Sequence, residues 1–330
     1  MQHPHHLKVI KETRKSPVLR PSAFGCLKDT PSINLTRGCI HCCVYCYARG
    51  FTGAPPPGEI HLYHNLPEVL EMELARKRKI PSWVSFSTAS DAFQAIDEVH
   101  EISYRTMKML LERGIGISFL TKGLIPFEFI DLFKRNPDLV RARIGIVSLD
   151  DGHRKLFEPF SAPPLVRLSL VRHLIHEGIE TSVRVDPLIP NISDTEEAME
   201  KLMRGLRATQ VRDVSVSYLV MRPSIMKQFR SELPSKLAKG ILEHYDGQPW
   251  RRVITSARTR LAPKAMRMVR YRRFKQMAAQ HGLECSLCGC KNPDLPWESC
   301  HPWIGQIDLP RSQPGRQLNL FAGDRLSKTG

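Results

Sequence analysis

Four of the nine cysteines of this 330-residue chain crowd into eight positions of the stretch RGCIHCCVYCYAR (37–49). In a reducing compartment, thiols gathered this closely are ligands or catalysts rather than disulfides. Cys39, Cys43 and Cys46 have the spacing C-x3-C-x2-C. Three thiolates from one loop can hold three irons of a [4Fe–4S] cluster and leave the fourth open to a non-protein ligand. Zinc usually asks for four protein ligands in two pairs, and no second pair lies near this loop. A second group, Cys285, Cys288, Cys290 and Cys300, reads C-x2-C-x-C-x9-C. Four thiolates can complete an auxiliary [4Fe–4S] cluster, with zinc as the rival. The C-x-C element favours the cluster, because it strains two ligands on one small ion. His301 reads as a neighbour of that group, and Cys26, alone in AFGCLK, as unligated.

Something must position these groups. Residues 1–32 read as an irregular, basic lead-in. From 33 to about 222, short β-rich runs (SINLTRG, WVSFSTA, GISFLTKG, RIGIVSLD, ETSVRVDPLIP, RDVSVSYLV) alternate with helical patterns such as EVHEISYRTMKMLLERG. This alternation predicts an α/β fold whose parallel sheet carries helices outside it. Six units fit a partial barrel or an open doubly wound sheet. Either places reactive groups at the C-terminal ends of the strands, where the cysteine loop, STASD, TKG and SLDD fall. Residues 223–284 read as a helical, basic extension, 285–305 as a Cys-rich metal segment, and 306–330 as a flexible tail.

The formal charge is +16, and residues 251–280 carry ten Lys or Arg without an acid. A polyanionic partner, most often nucleic acid, is the expectation; the bland alternative is a solvated helix. Met266, Val269, Tyr271, Phe274 and Met277 are spaced to pack one side of that tract inward. No apolar run is long enough to span a membrane and the N-terminus lacks a secretory signal, so a cytoplasmic location is expected.

The spacing of Cys39, Cys43 and Cys46, with Tyr45 before the last, resembles the signature of the radical S-adenosylmethionine (SAM) superfamily. NLTRGCIHCCVYCYAR is similar to the pattern of its spore photoproduct lyase-like family. STASDAFQ, TKG, VSLDD, FEP, APPLVRL and PLIPNISD follow in that family's order, over about residues 30–220. The resemblance implies a partial (β/α)6 TIM-type barrel. It implies a cluster whose open iron binds SAM and whose electron cleaves it to methionine and a 5′-deoxyadenosyl radical, with a donor such as flavodoxin or ferredoxin. By position, Tyr45 would pack on the adenine, and Ser90, Asp91, Lys122, Ser148 and, more weakly, Arg184 would approach SAM. Cys42 stands where glycine is expected and reads as a spectator thiol.

One departure matters. Where true spore photoproduct lyases carry a hydrogen-donating cysteine, this chain has Ser87 and Thr88, and an alcohol is a poor hydrogen-atom donor. Repair of spore photoproduct itself is therefore doubtful. Cys42 and Tyr47 are the candidate quenchers of a substrate radical. Finally, QLNLF in the tail (Gln317, Leu318, Leu320 and Phe321) is similar to the bacterial sliding-clamp-binding pentapeptide, a short apolar peptide that docks in a groove. The reading is a radical SAM enzyme acting on nucleic acid, with DNA repair or modification preferred. Its rivals are a radical SAM enzyme acting on RNA or a peptide, and a non-catalytic Fe–S nucleic-acid-binding protein.

Overall fold

The computed structural model describes residues 7–22, 25–27, 30–253, 257–296 and 298–300; QLNLF and His301 lie outside them. The described elements begin with strands β1 (Lys8–Glu12), β2 (Ser32–Ile33), β3 (Thr36–Arg37) and β4 (Glu59–Tyr63) and helix α1 (Leu66–Arg76). The chain continues through β5 (Trp83–Phe86), α2 (Asp97–Glu112), β6 (Gly116–Thr121), α3 (Phe127–Lys134), β7 (Val140–Gly145), α4 (Asp151–Phe157), α5 (Pro164–His176), β8 (Glu180–Leu188), α6 (Glu196–Arg207) and β9 (Asp213–Tyr218). It closes with α7 (Pro223–Glu232), α8 (Ser235–Glu243), the pair β10 (Arg251–Arg252) and β11 (Arg258–Thr259), α9 (Lys264–Gln280) and β12 (Glu284–Leu287).

The main sheet runs β12-β9-β8-β7-β6-β5-β2 and is parallel throughout. Its six strands from β2 to β9 are the six expected runs, in sequence order, and form a partial TIM-type barrel. Helices wrap the outside because their apolar stripes match the 3.6 period. In α2 the buried positions are Val99, Ile102, Ser103, Thr106, Met107, Leu110 and Leu111. Strand alternation divides each strand between two surroundings. Register aligns Ser85 with Ser118, Arg143 with Ser182 and Arg184 with Ser215, so the lumen face is polar. The opposite face carries Ile117, Val183 and Val214 into the hydrophobic core.

Three expectations change. The lead-in is not wholly irregular, since β1 pairs in parallel with β4 in a small sheet beside the barrel. The Cys-rich segment opens with a strand, because β12 adds to β9 as a seventh main strand. In α9, Arg267, Tyr271, Phe274, Met277 and Ala278 are buried, whereas Val269 is 66% exposed. Arg267 takes the inward position because Asn292 and Asp294 accept from its guanidinium, both at 2.7 Å. Six of the tract's ten bases are paired with acids within the fold: Arg251, Arg260, Arg267, Arg270, Arg273 and Lys275.

Candidate active site

The loop carrying Cys39 to Cys46 starts at Gly38, whose φ of +83° suits glycine and whose missing Cβ would stand 2.6 Å from the Glu59 carbonyl. Local bonds wind it: Cys42 N–H donates to the Cys39 carbonyl at 3.3 Å, and Cys46 N–H to Cys43 at 3.0 Å. The strand ends then clamp it. Gln94 accepts from Ile40 N–H at 2.7 Å, and the Phe157 carbonyl from Val44 N–H at 3.0 Å. From α7, the Gln228 amide donates to the carbonyls of Val44 and Cys46, at 2.7 and 3.2 Å. His41 bridges two loops, with Nδ1 3.2 Å from the Phe160 carbonyl and Nε2 3.1 Å from the Asp91 carboxylate.

The loop forms one wall of a cleft of about 220 Å3 that opens to solvent. Cys39, Cys43 and Cys46 all line it, with Tyr45, Tyr47, Ser90, Asp91, Lys122, Asp186, Arg222 and Lys291. Ser90 and Asp91 follow β5, Lys122 follows β6, Asp186 lies near the C-terminal end of β8, Arg222 follows β9 and Lys291 follows β12, as expected of strand ends. Burial, then Asp91, pushes the Cys39 thiol well up; burial, then Glu158, pushes up Cys43. Both thiols are therefore neutral until a metal displaces their protons. Three soft donors from one short loop, opening on a cavity, suit a cluster with one exchangeable iron.

The expected cofactor residues divide. Asp91 lines the cleft, but its carboxylate is engaged: Thr121 Oγ1 donates at 2.8 Å, Phe93 N–H and Lys122 N–H at 2.9 Å. Burial would raise its pKa, yet His41 and these donors leave it lowered. Asp91 is thus the tie between two strand ends and the cysteine loop. Tyr45 is buried beside the cleft with its hydroxyl donating to Glu158. Lys122 Nζ lies 3.7 Å from Glu158 and 5.7 Å from the centre of the Tyr45 ring. Ser90 lines the cleft as expected.

Two of the expected residues lie away from the cleft wall. Ser148 does not line the cleft; its hydroxyl accepts from Asp150 N–H at 3.1 Å where α4 begins. Arg184 points deeper into the lumen. It grips Asp186 at 2.6 Å and lies 3.5 Å from Cys288 Sγ. Cys42 and Tyr47 both line the cleft. Cys42 has φ +48°, the left-handed conformation that the expected glycine would adopt freely, and Ser87 has φ +67°.

Missed altogether was Glu158, buried against Arg167 at 2.7 Å and reached by Lys122 and Tyr45. Burial pushes its pKa up, but Arg167, Lys122 and Tyr45 outweigh that and hold it well below the carboxylate range. Also missed were His41 and the Asp186–Lys291 pair, at 2.6 Å. An acid in FEP ahead of an arginine in a helix with no acid of its own was the available signal for Glu158.

The second cysteine group is corrected. Cys288, Cys290 and Cys300 cluster with Cys26, while Cys285 packs against the main core. Strand alternation explains it. Cys285 pairs with Val214, on the helix side, whereas Ser286 pairs with Ser215, on the lumen side. Three residues after Cys285, Cys288 falls on the opposite face. Cys26 was assigned no partner because nothing local announces a contact across 264 residues.

The sequence and fold have clear relatives. Residues 33–203 match the model of the radical SAM superfamily. An uncharacterized protein of Mycobacterium tuberculosis is 28% identical over 207 residues, 58% of this chain and 59% of that protein. The chain thus spans less than two thirds of that relative's length. A radical SAM Nalpha-GlyT isomerase of Pseudomonas phage M6 is 28% identical over 185 residues, 55% of this chain and 37% of that enzyme. Among solved structures, a spore photoproduct lyase mutant superposes with a TM-score of 0.66 at 16% identity, over 85% of this chain and 81% of that one. Another, with bound AdoMet and dinucleoside spore photoproduct, gives 0.65 at 14%, over the same shares. At such identity the likeness speaks for the fold. With the family match covering more than half of its length, the chain belongs to the radical SAM superfamily.

Proposed function

We propose that the chain abstracts a hydrogen atom from a nucleotide unit of nucleic acid, as a radical SAM enzyme whose cluster is held by Cys39, Cys43 and Cys46. The observation that carries this is the cleft: those three thiols share it with Tyr47, Arg222 and Lys291. When bound, cluster and SAM supply the reducing electron and the hydrogen-abstracting radical. The chain's residues hold and orient. The Asp91 and His41 tie fixes the loop against two strand ends. Tyr47, held through its hydroxyl on the Thr88 carbonyl with the Arg222 guanidinium 4.8 Å from its ring centre, offers an aromatic and cationic wall. Such a wall suits a base and its phosphate. The net charge of +16 supports a polyanion. The bound dinucleoside of the fold relative supports a nucleoside-sized occupant.

Because most of the basic tract is paired internally, the substrate is expected to reach the cleft as a flipped or single-stranded unit rather than lie along α9. In the tail, QLNLF would recruit a sliding clamp, and removal of residues 314–330 should then abolish clamp binding while sparing SAM cleavage. Among the described residues no helix is long and apolar enough to cross a membrane.

The test is anaerobic reconstitution with iron and sulfide, then measurement of 5′-deoxyadenosine after dithionite reduction, with and without single-stranded DNA, RNA or peptide. SAM cleavage stimulated by DNA, with deuterium passing from labelled DNA into 5′-deoxyadenosine, is the expected result. Cys43→Ala should lower it more than about 100-fold, beyond what loss of an outer partner costs a metal site. Stimulation by peptide or RNA alone would overturn the DNA reading, and no cleavage by the loaded chain would overturn the enzyme.

A further inference from the structure

The main sheet is open: β2 is one edge and β12 the other. Cys26 lies just ahead of β2, and Cys288, Cys290 and Cys300 follow β12. These four thiols meet inside the barrel, so cysteines from both edges converge on one point. Cys26 Sγ and Cys300 Sγ are 3.8 Å apart. Cys26 N–H donates to Cys290 Sγ at 3.2 Å, and Cys288 reaches both Cys290 and Cys300. All four are unbonded thiols.

The Cys26–Cys300 separation favours a single ion over a cluster, against the strain that the C-x-C pair, Cys288 and Cys290, puts on such an ion. Four sulfurs around one tetrahedral ion at about 2.3 Å lie about 3.8 Å from one another by geometry. A [4Fe–4S] cubane puts each cysteine on a different iron and spreads the sulfurs farther. Two buried guanidinium groups adjoin the quartet. Arg184 Nη2 is 3.5 Å from Cys288 Sγ, and Arg143 donates to the Cys300 carbonyl. Four thiolates on a divalent ion leave two negative charges, which buried cations offset. As placed, no group of three or more His, Cys, Asp or Glu among the described residues could hold a metal ion, neither this quartet nor Cys39, Cys43 and Cys46. The quartet must tighten around its ion as that group must around its cluster.

We propose that Cys26, Cys288, Cys290 and Cys300 bind a single tetrahedral zinc ion that clasps the two open edges of the barrel. Zinc, without redox chemistry of its own, suits a closed four-thiolate site whose work is structural. The clasp also walls the substrate cleft. The space beside Cys26, Cys288 and Cys300 is lined as well by Tyr47, Asp186 and Lys291, which face the SAM-side cleft. This inference stands apart from the radical SAM reading, because it uses none of that loop's thiols.

The test uses the full chain with Cys39, Cys43 and Cys46 all replaced by Ala, purified without oxygen. Metal analysis should find about one zinc per chain and no acid-labile sulfide. Cys285→Ser should keep that zinc, and Cys26→Ser or Cys288→Ser should lose it. Acid-labile sulfide with about four irons would overturn the proposal in favour of a cluster. So would metal lost with Cys285 but kept without Cys26, or a Cys26–Cys300 disulfide in place of metal. If Cys26→Ser does not fold, zinc-edge X-ray absorption of the unsubstituted full chain decides. Four sulfurs at about 2.3 Å support the site, and nitrogen or oxygen ligands overturn it.

Discussion

The two cysteine groups are built in opposite ways. Cys39, Cys43 and Cys46 come from one turn of chain, wound by its own amide bonds and opened by Gly38. Cys26, Cys288, Cys290 and Cys300 come from both ends of the chain and meet only once the barrel has formed. A local site can be read from spacing, because spacing is its geometry. An assembled site cannot, because its geometry belongs to the sheet. The local loop is nevertheless not self-sufficient. Its orientation is set by Gln94, Asp91 and Gln228, and through Tyr45 by Glu158.

The largest expected effect challenges that contrast at Glu158. Glu158→Gln leaves Arg167, 1% exposed, without its carboxylate, and breaking a buried pair costs about 3–5 kcal/mol. Equilibrium denaturation should show that loss, and SAM cleavage should fall with it as Tyr45 is released. The pH dependence follows from the same group. Its folded pKa is depressed below the ordinary 4.5. Its stabilising contribution is therefore complete above that value and is lost as pH falls through the folded pKa. The unsubstituted chain should lose stability below about pH 4.5 more steeply than Glu158→Gln. Equal slopes would mean that Glu158 does not hold the loop.

How far the molecule was legible follows from the same contrast. The six core strands were visible because each is short, β-rich and separated by helical periodicity. The seventh, ECSL, was hidden because its cysteine and the three that follow invited a reading by ligand spacing rather than by alternation. Asp91 was placed at the cleft from its position after β5, but not its role, since four partners from three segments define it. Arg184 and Ser148 were carried over from family position, and here their hydrogen bonds point elsewhere. The basic tract promised a cationic face. Its counter-acids, Asp194, Glu196, Asp294 and Glu298, lie outside that tract and could not be matched to it before folding.

A middle-sized effect sharpens the local side. Cys42 carries φ +48° without being glycine. A residue with a Cβ pays roughly 1 kcal/mol there, offset partly by the greater freedom glycine has when unfolded. Cys42→Gly should therefore change stability by less than about 1 kcal/mol, toward gain. If Cys42 is a spectator, turnover with substrate should be unchanged. If products accumulate as unquenched adducts in Cys42→Gly while 5′-deoxyadenosine forms at the usual rate, Cys42 is the hydrogen donor.

The smallest effect belongs to Cys285, which, like Cys42, neither group uses. Cys285 faces the helix side of β12, half-buried, with Lys275 and Glu298 as its nearest charges. Burial pushes its thiol up to about 12. At pH 8 only about one thiol in 10,000 is then ionised, so it should alkylate slowly and speed up about tenfold per pH unit. Cys285→Ser replaces a largely buried thiol by a smaller hydroxyl and should shift stability by no more than about 1 kcal/mol. Rapid modification of Cys285 near neutral pH would mean that β12 presents it differently, and the division between lumen-facing and helix-facing cysteines would fail at the strand that defines it.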